Sequence, residues 1–177
     1  MKSGDCTIYN KTEYDWNISL IDTGINTMTG GRIKKLQKII GNETFLLTYG
    51  DGLADVDINK SLDFHKKNGK KMTVTAVRPN ARFGELEISD NNIINKFEEK
   101  PQLHEGWING GYFIIEPEFI DLIDGDENML EREPMNRACE QKELIAYKHY
   151  GFWQCMDNKR DYDYLENEYN NNPKWIK

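Results

Sequence analysis

The run Thr44–Tyr49 (TFLLTY), halted by Gly50-Asp51-Gly52, constrains this chain more than any other stretch. An unbroken apolar and β-prone run without alternation predicts a strand buried on both faces. Strands read that way in a parallel sheet covered by helices on each side. The next segments fit the same architecture. Asn59–Asn68 (NKSLDFHKKN) predicts a helix closed by Gly69, and Lys71–Val77 (KMTVTAV) a second strand. Strand, helix and strand in so short a span make the βαβ unit of a parallel sheet with its right-handed crossover.

Upstream, Gly31–Ile40 places Ile33, Leu36, Ile39 and Ile40 at helical spacing and stops at Gly41, while Asn17–Asp22 (NISLID) predicts a short strand. After Pro79, Gly84–Ile88 and Ile93–Phe97 alternate around Asp90-Asn91-Asn92, a hairpin signal. Trp107–Ile115 (WINGGYFII) is a further strand carrying a glycine pair. Glu118–Ile123 and Met129–Lys142 have helical character, the second interrupted by Pro134. Leu144–His149 and Gly151–Met156 predict short strands, and Asp161–Tyr169 a closing helix. No repeat or low-complexity linker divides the 177 residues, so the expectation is one α/β domain with a mixed sheet over residues 1–177.

Composition removes several classes of function. A net charge of −7 disfavours a nucleic-acid binder, which needs a basic face, but leaves room for a local basic pocket around a phosphate-bearing small molecule. No run approaches the roughly 18 apolar residues of a membrane span, and the polar start is unlike a secretory signal. Cys6, Cys139 and Cys155 are widely spaced and form no CxxC, which points to a reducing, cytoplasmic setting and away from disulfides or structural zinc. His65 is expected on a surface helix beside Lys66 and Lys67, His104 in a loop and His149 at a strand end. None has metal-site spacing.

Five segments carry candidate chemistry, each with a plain structural alternative. Asp51, flanked by Gly50 and Gly52 at the end of the most apolar strand, can meet a metal or phosphate without steric obstruction, since ligands bind outside the carboxyl ends of such strands. The triplet also reads as a tight turn. Glu99-Lys100-Pro101 could hold a sugar phosphate or be a solvated loop. Asn109-Gly110-Gly111 marks either a bulge or a place where a ligand nears the backbone. Asp157 follows a short apolar run and could serve a ligand or cap the closing helix. Gly30-Gly31-Arg32 opens a helix whose N–H groups could face an anion, or is a flexible entry into it.

Taken in order, TYGDGLADVDI, RFGELEI, FEEKP, INGGYFIIEP and GFWQCMD resemble the sugar-phosphate nucleotidyltransferases, especially their cytidylyl-transferring branch. The likeness includes DTGINTMTGGRIKKL and runs from Trp16 to the C-terminus. It implies a Rossmann-like mixed sheet, a place in nucleotide-sugar biosynthesis, and transfer from CTP to glucose 1-phosphate, giving CDP-glucose and pyrophosphate with Mg²⁺. By that resemblance Asp51 and Asp157 are the metal-binding carboxylates, and both count with Lys100 as catalytic. Glu99 and Lys100 hold the sugar phosphate, Gly84, Asn109 and Gly110 lie near the sugar, and Arg32 is on the nucleotide side. A sugar phosphate is already a nucleophile, so such a site mainly aligns reactants and neutralises charge on the leaving pyrophosphate.

Members of that family begin with a strand and a glycine-rich GGxGTRL loop, followed by a segment with a basic Lys. No stretch of this sequence matches them. The expectation is an N-terminally truncated form of the fold, the C-terminal two-thirds of the family domain. Its sheet edge would be apolar and exposed, its activity alone low or absent. A complementing N-terminal fragment or a homo-oligomer would be its partner. The alternative reading is a non-catalytic remnant that binds sugar phosphate.

Overall fold

A computed structural model describes residues 16–79, 85–98 and 106–176. In chain order its elements are α1 (Thr29–Ile40), β1 (Phe45–Thr48), β2 (Gly52–Ala54), α2 (Ile58–Asn68), β3 (Met72–Val77), β4 (Glu85–Ile88) and β5 (Ile94–Glu98). Then come β6 (Ile108–Ile115), a 3₁₀ turn (Pro117–Leu122), α3 (Glu133–Glu140), β7 (Leu144–Lys148), β8 (Trp153–Cys155) and α4 (Lys159–Asn171). The central sheet has the order β1-β6-β3-β7. Strand β6 is antiparallel to both β1 and β3, which makes those two parallel to each other, and β7 is parallel to β3. The βαβ unit therefore exists, but its two strands are separated by β6.

Side-chain alternation decides which face of this sheet is covered. Phe45, Leu47, Val74, Phe113, Ile115 and Leu144 meet Ile33 of α1, Phe119 and Ile120 of the 3₁₀ turn and Ala138 of α3 in one apolar cluster. Burial of such side chains supplies most of the fold's stabilisation, about 25 cal/mol per Å² of apolar surface. The opposite face is covered by α2 only in part. There Leu46, Val56, Ile58, Tyr112 and Ile114 line an apolar groove of about 210 Å³. Strand β1 is thus not buried on both faces as its sequence suggests. Among the described residues it is an outer strand of the sheet, it alternates, and Leu46 is 56% exposed.

Local chemistry fixes the helix ends. The Asp57 carboxylate accepts the Lys60 N–H at the start of α2, and Gly69 closes it in the left-handed region. Pro134 lies in the first turn of α3, so it begins that helix instead of interrupting a longer one. The expected hairpin forms from β4 and β5, with Asn92 at φ 61°. Asn17–Asp22 forms no strand. Ile18 and Leu20 face solvent, and no described strand pairs with that segment.

His65 is buried, not on the surface as its lysine neighbours imply. It occupies the sheet-facing side of α2 with Ser61, whereas Lys66 and Lys67 face out. Its Nδ1 lies 2.8 Å from the Thr73 hydroxyl and its Nε2 2.9 Å from Glu116, which also accepts from the Thr44 hydroxyl. A buried imidazole with both nitrogens partnered is a structural group, here joining α2, β3 and the chain entering β1.

Candidate active site

Strand β1 ends at Thr48, and the chain then passes through Tyr49, Gly50 and Asp51 into the short strand β2. That strand pairs antiparallel with β8, Gly52 opposite Cys155 and Ala54 opposite Trp153. The Met156 N–H donates to the Asp51 carbonyl at 2.8 Å, which extends the pairing by one position. Asp51 consequently lies across from Met156 and one residue from Asp157, and both carboxylates are exposed. Two acids distant in the chain thus sit on the ends of neighbouring strands, outside the carboxyl end of β1.

The glycines of the triplet are not required by the fold. Neither Gly50 nor Gly52 has a left-handed backbone. An added Cβ at Gly50 meets nothing within 4 Å, and one at Gly52 comes no nearer than 3.8 Å to the Gly110 carbonyl. Nor does Asp157 cap α4. Asn158 does so, accepting the N–H groups of Arg160 and Asp161. The Asp157 carboxylate instead accepts from the Cys155 thiol at 3.3 Å, and partial burial, with this neighbour, pushes that thiol up to about 11.

The Asn109-Gly110-Gly111 segment of β6 is bound to this centre from the other side. Trp153 Nε1 donates to the Gly110 carbonyl at 2.8 Å, the Tyr112 hydroxyl to the Gly52 carbonyl at 2.7 Å, and the Tyr49 N–H to the Gly111 carbonyl at 3.0 Å. The glycine pair coincides with a register shift between Val74 and Ala76, so it is a bulge. A Cβ at Gly110 would stand 2.8 Å from Val77 Cγ1 and 2.9 Å from the Thr75 carbonyl. Gly111 has φ 79° and admits the Tyr49 ring, whose Cδ2 would be 2.8 Å from a Cβ. The bulge leaves Asn109 exposed at the lip of the site, with its Nδ2 donating to the Tyr49 hydroxyl at 3.2 Å.

At the start of α1 the N–H groups do not await an anion. Gly30 and Gly31 both donate to the Asn128 carbonyl, at 3.0 and 3.2 Å, and Met28 donates to that of Asp126. Both glycines are buried because any Cβ would strike the 126–128 backbone. The Arg32 guanidinium, exposed on the same turn, donates to the Thr23 hydroxyl. Gly84, Glu99 and Lys100 lie outside the described residues. Sequence reasoning missed Tyr49 and Glu131, which join β1 to the loop before α3: the Tyr49 hydroxyl donates to Glu131 Oε1. Burial first, then this carboxylate, push the Tyr49 pKa far above the usual tyrosine value.

Metal fit can be judged from the donors. Among the described residues no group of three or more His, Cys, Asp or Glu side chains is arranged around a metal ion. Two exposed carboxylates with open space beside Gly50 do suit Mg²⁺, which takes one or two carboxylates and leaves its other positions to water and substrate phosphate.

The nucleotidyl transferase family model matches residues 9–162. The chain belongs to the nucleotidyl transferase family. It is 48% identical over 160 residues to a glucose-1-phosphate cytidylyltransferase of Salmonella typhi, covering 90% of this chain and 62% of that protein. It is 29% identical over 157 residues to a mannose-1-phosphate guanyltransferase of Saccharomyces cerevisiae, covering 85% of this chain and 44% of that one. In three dimensions it resembles HddC from Yersinia pseudotuberculosis, with TM-score 0.58 and 22% identity over 81% of this chain and 63% of that one. This family member thus has the mixed-sheet fold of its relatives and spans less than two-thirds of the length of each of these three proteins.

Proposed function

We propose that this chain carries the sugar-phosphate and metal-binding part of a site for cytidylyl transfer from CTP to glucose 1-phosphate, giving CDP-glucose and pyrophosphate in the cytoplasm. The observation that supports the reading is the β2–β8 pairing, extended by the Met156 N–H on the Asp51 carbonyl, which sets the Asp51 backbone one residue from Asp157. Asp51 and Asp157 would hold Mg²⁺, which when bound supplies positive charge to the phosphates. Asn109 offers an amide donor to a sugar hydroxyl, and Glu99, Lys100 and Gly84 would complete the sugar side. The phosphate oxygen of the sugar attacks the α-phosphorus in line. It is already ionised, so none of the residues is asked to act as a general base, and the chain's part is alignment and charge. Arg32 is assigned to the nucleotide side by family likeness, although its present partner is Thr23.

A second reading is favoured by the outer edge of β1, with its exposed Leu46 and the adjoining apolar groove. Unpaired edges accept a further strand, and the chain spans 62% of its Salmonella relative. In this reading the chain binds sugar phosphate but turns over only with a complementing polypeptide, or remains a binding subunit. One experiment separates the two. Pyrophosphate release is followed with CTP, glucose 1-phosphate and Mg²⁺, and each substrate is titrated calorimetrically. Turnover that is lost in Asp51→Asn supports the full reaction. Sugar-phosphate binding without nucleotide binding or turnover supports the second reading, and binding of neither would sink both.

A further inference from the structure

Asn109 stands at the end of a hydrogen-bonded relay that reaches helix α1. Its Oδ1 accepts the Gly111 N–H at 2.9 Å and its Nδ2 donates to the Tyr49 hydroxyl. That hydroxyl can accept because its own proton goes to Glu131 Oε1. The second Glu131 oxygen accepts from the Thr29 hydroxyl at 2.9 Å, and Thr29 in turn accepts the Leu130 N–H at 2.9 Å. Each link has a fixed direction, and it ends on a carboxylate, which makes the last bond charge-assisted. We propose that Tyr49 and Glu131 are positioning residues of the sugar subsite, holding the Asn109 amide so that its second N–H faces a sugar hydroxyl. This inference rests on the reading of Asn109 as a sugar ligand.

The argument is one of donor and acceptor counting. A side-chain amide has two N–H donors and one carbonyl oxygen. With the oxygen occupied by Gly111 and one N–H by Tyr49, both the rotation and the end-for-end orientation of the amide are set. Without Glu131 the Tyr49 proton would be free to turn towards Asn109 Oδ1 and compete with the Gly111 N–H. The amide could then flip and present its oxygen, a pure acceptor, where a donor is needed. The ring itself is held, edge-on to Phe113 with centroids 5.5 Å apart and close against the bare α-carbon of Gly111.

Calorimetric titration of glucose 1-phosphate into the full chain and into Tyr49→Phe, Glu131→Ala and Glu131→Gln tests this. Tyr49→Phe keeps the ring packing, and Glu131→Gln keeps an acceptor for the hydroxyl. The expected result is a loss of roughly 5–10-fold in affinity for Tyr49→Phe and Glu131→Ala, with Glu131→Gln restored to within about threefold of the parent. In an Asn109→Ala background Tyr49→Phe should weaken binding no further, a coupling that a merely structural tyrosine would not produce. Parent-like affinity in Tyr49→Phe, or the same loss with and without Asn109, would overturn the proposal while leaving the sugar site intact. If the parent chain binds no glucose 1-phosphate, the sugar-site reading fails and this one with it.

Discussion

Gly50 and Gly52 stand on one side of the candidate site and Gly110 and Gly111 on the other, yet the two pairs do opposite work. The strand pair is glycine because the fold has no room: Thr75, Val77 and Tyr49 occupy the places where a Cβ would go, and Gly111 turns through a positive φ. The triplet pair is glycine although the fold has room to spare, with no close atom and no left-handed backbone at either position. A glycine that folding does not require, placed beside an exposed carboxylate, reads as space kept for something outside the chain. In sequence both pairs carry the same two readings. Only the environment of each missing Cβ separates them.

Alanine substitution probes that contrast directly, because a single methyl is added each time. The largest effect is expected at Gly110. The Thr75 carbonyl belongs to the central sheet and cannot retreat, so Gly110→Ala should lower stability by about 2–3 kcal/mol, read from the urea midpoint at constant slope. Parent-like stability would mean that the bulge is soft, and the strand pair would lose its claim to be a folding device.

A smaller but double effect is expected at Gly111. A Cβ there meets a left-handed φ of 79° and presses on Tyr49, whose ring can shift where a backbone atom could not. Gly111→Ala should lose about 1–2 kcal/mol of stability. Because the displaced tyrosine is the partner of Asn109, glucose 1-phosphate affinity should fall too, although the substituted residue contributes no side chain to a ligand. Calorimetry beside urea unfolding checks both. A stability loss with unaltered binding would sever the bulge from the site.

How much of this was legible beforehand depends on the range of the interaction. Helices α1, α2 and α4 follow from local spacing and end residues, and the strands around the site follow from short apolar runs. Strand β2, three residues of unremarkable composition, has no periodicity to detect and exists because β8 pairs with it. The insertion of β6 between β1 and β3 is likewise a long-range pairing that no local pattern encodes. The same applies to Tyr49 and Glu131, which meet across 82 positions. Burial depends on neighbours, which composition does not reveal. TFLLTY shows no clear alternation, yet only one of its faces has a cluster of buried side chains to meet. His65 sits among lysines, yet its side of α2 points into the fold.

The smallest effect on folding, and the sharpest test of the contrast, belongs to Gly50 and Gly52. With no atom nearby to clash, Gly50→Ala and Gly52→Ala should change stability by less than about 0.5 kcal/mol. If the open space serves a bound cation and its phosphate, the same methyls should weaken Mn²⁺, a relaxation-active substitute for Mg²⁺, titrated in the presence of glucose 1-phosphate. Asp51→Asn, which removes a donor rather than crowding it, should weaken that ion more severely while leaving the fold intact. The two readouts must diverge for the triplet to be a site, with stability unmoved and cation affinity reduced. If neither responds to the added methyls while Asp51→Asn still does, the carboxylate is the ligand and its glycines are ordinary turn residues. If Asp51→Asn is silent as well, the triplet is a turn and the case for the metal site falls to Asp157 alone.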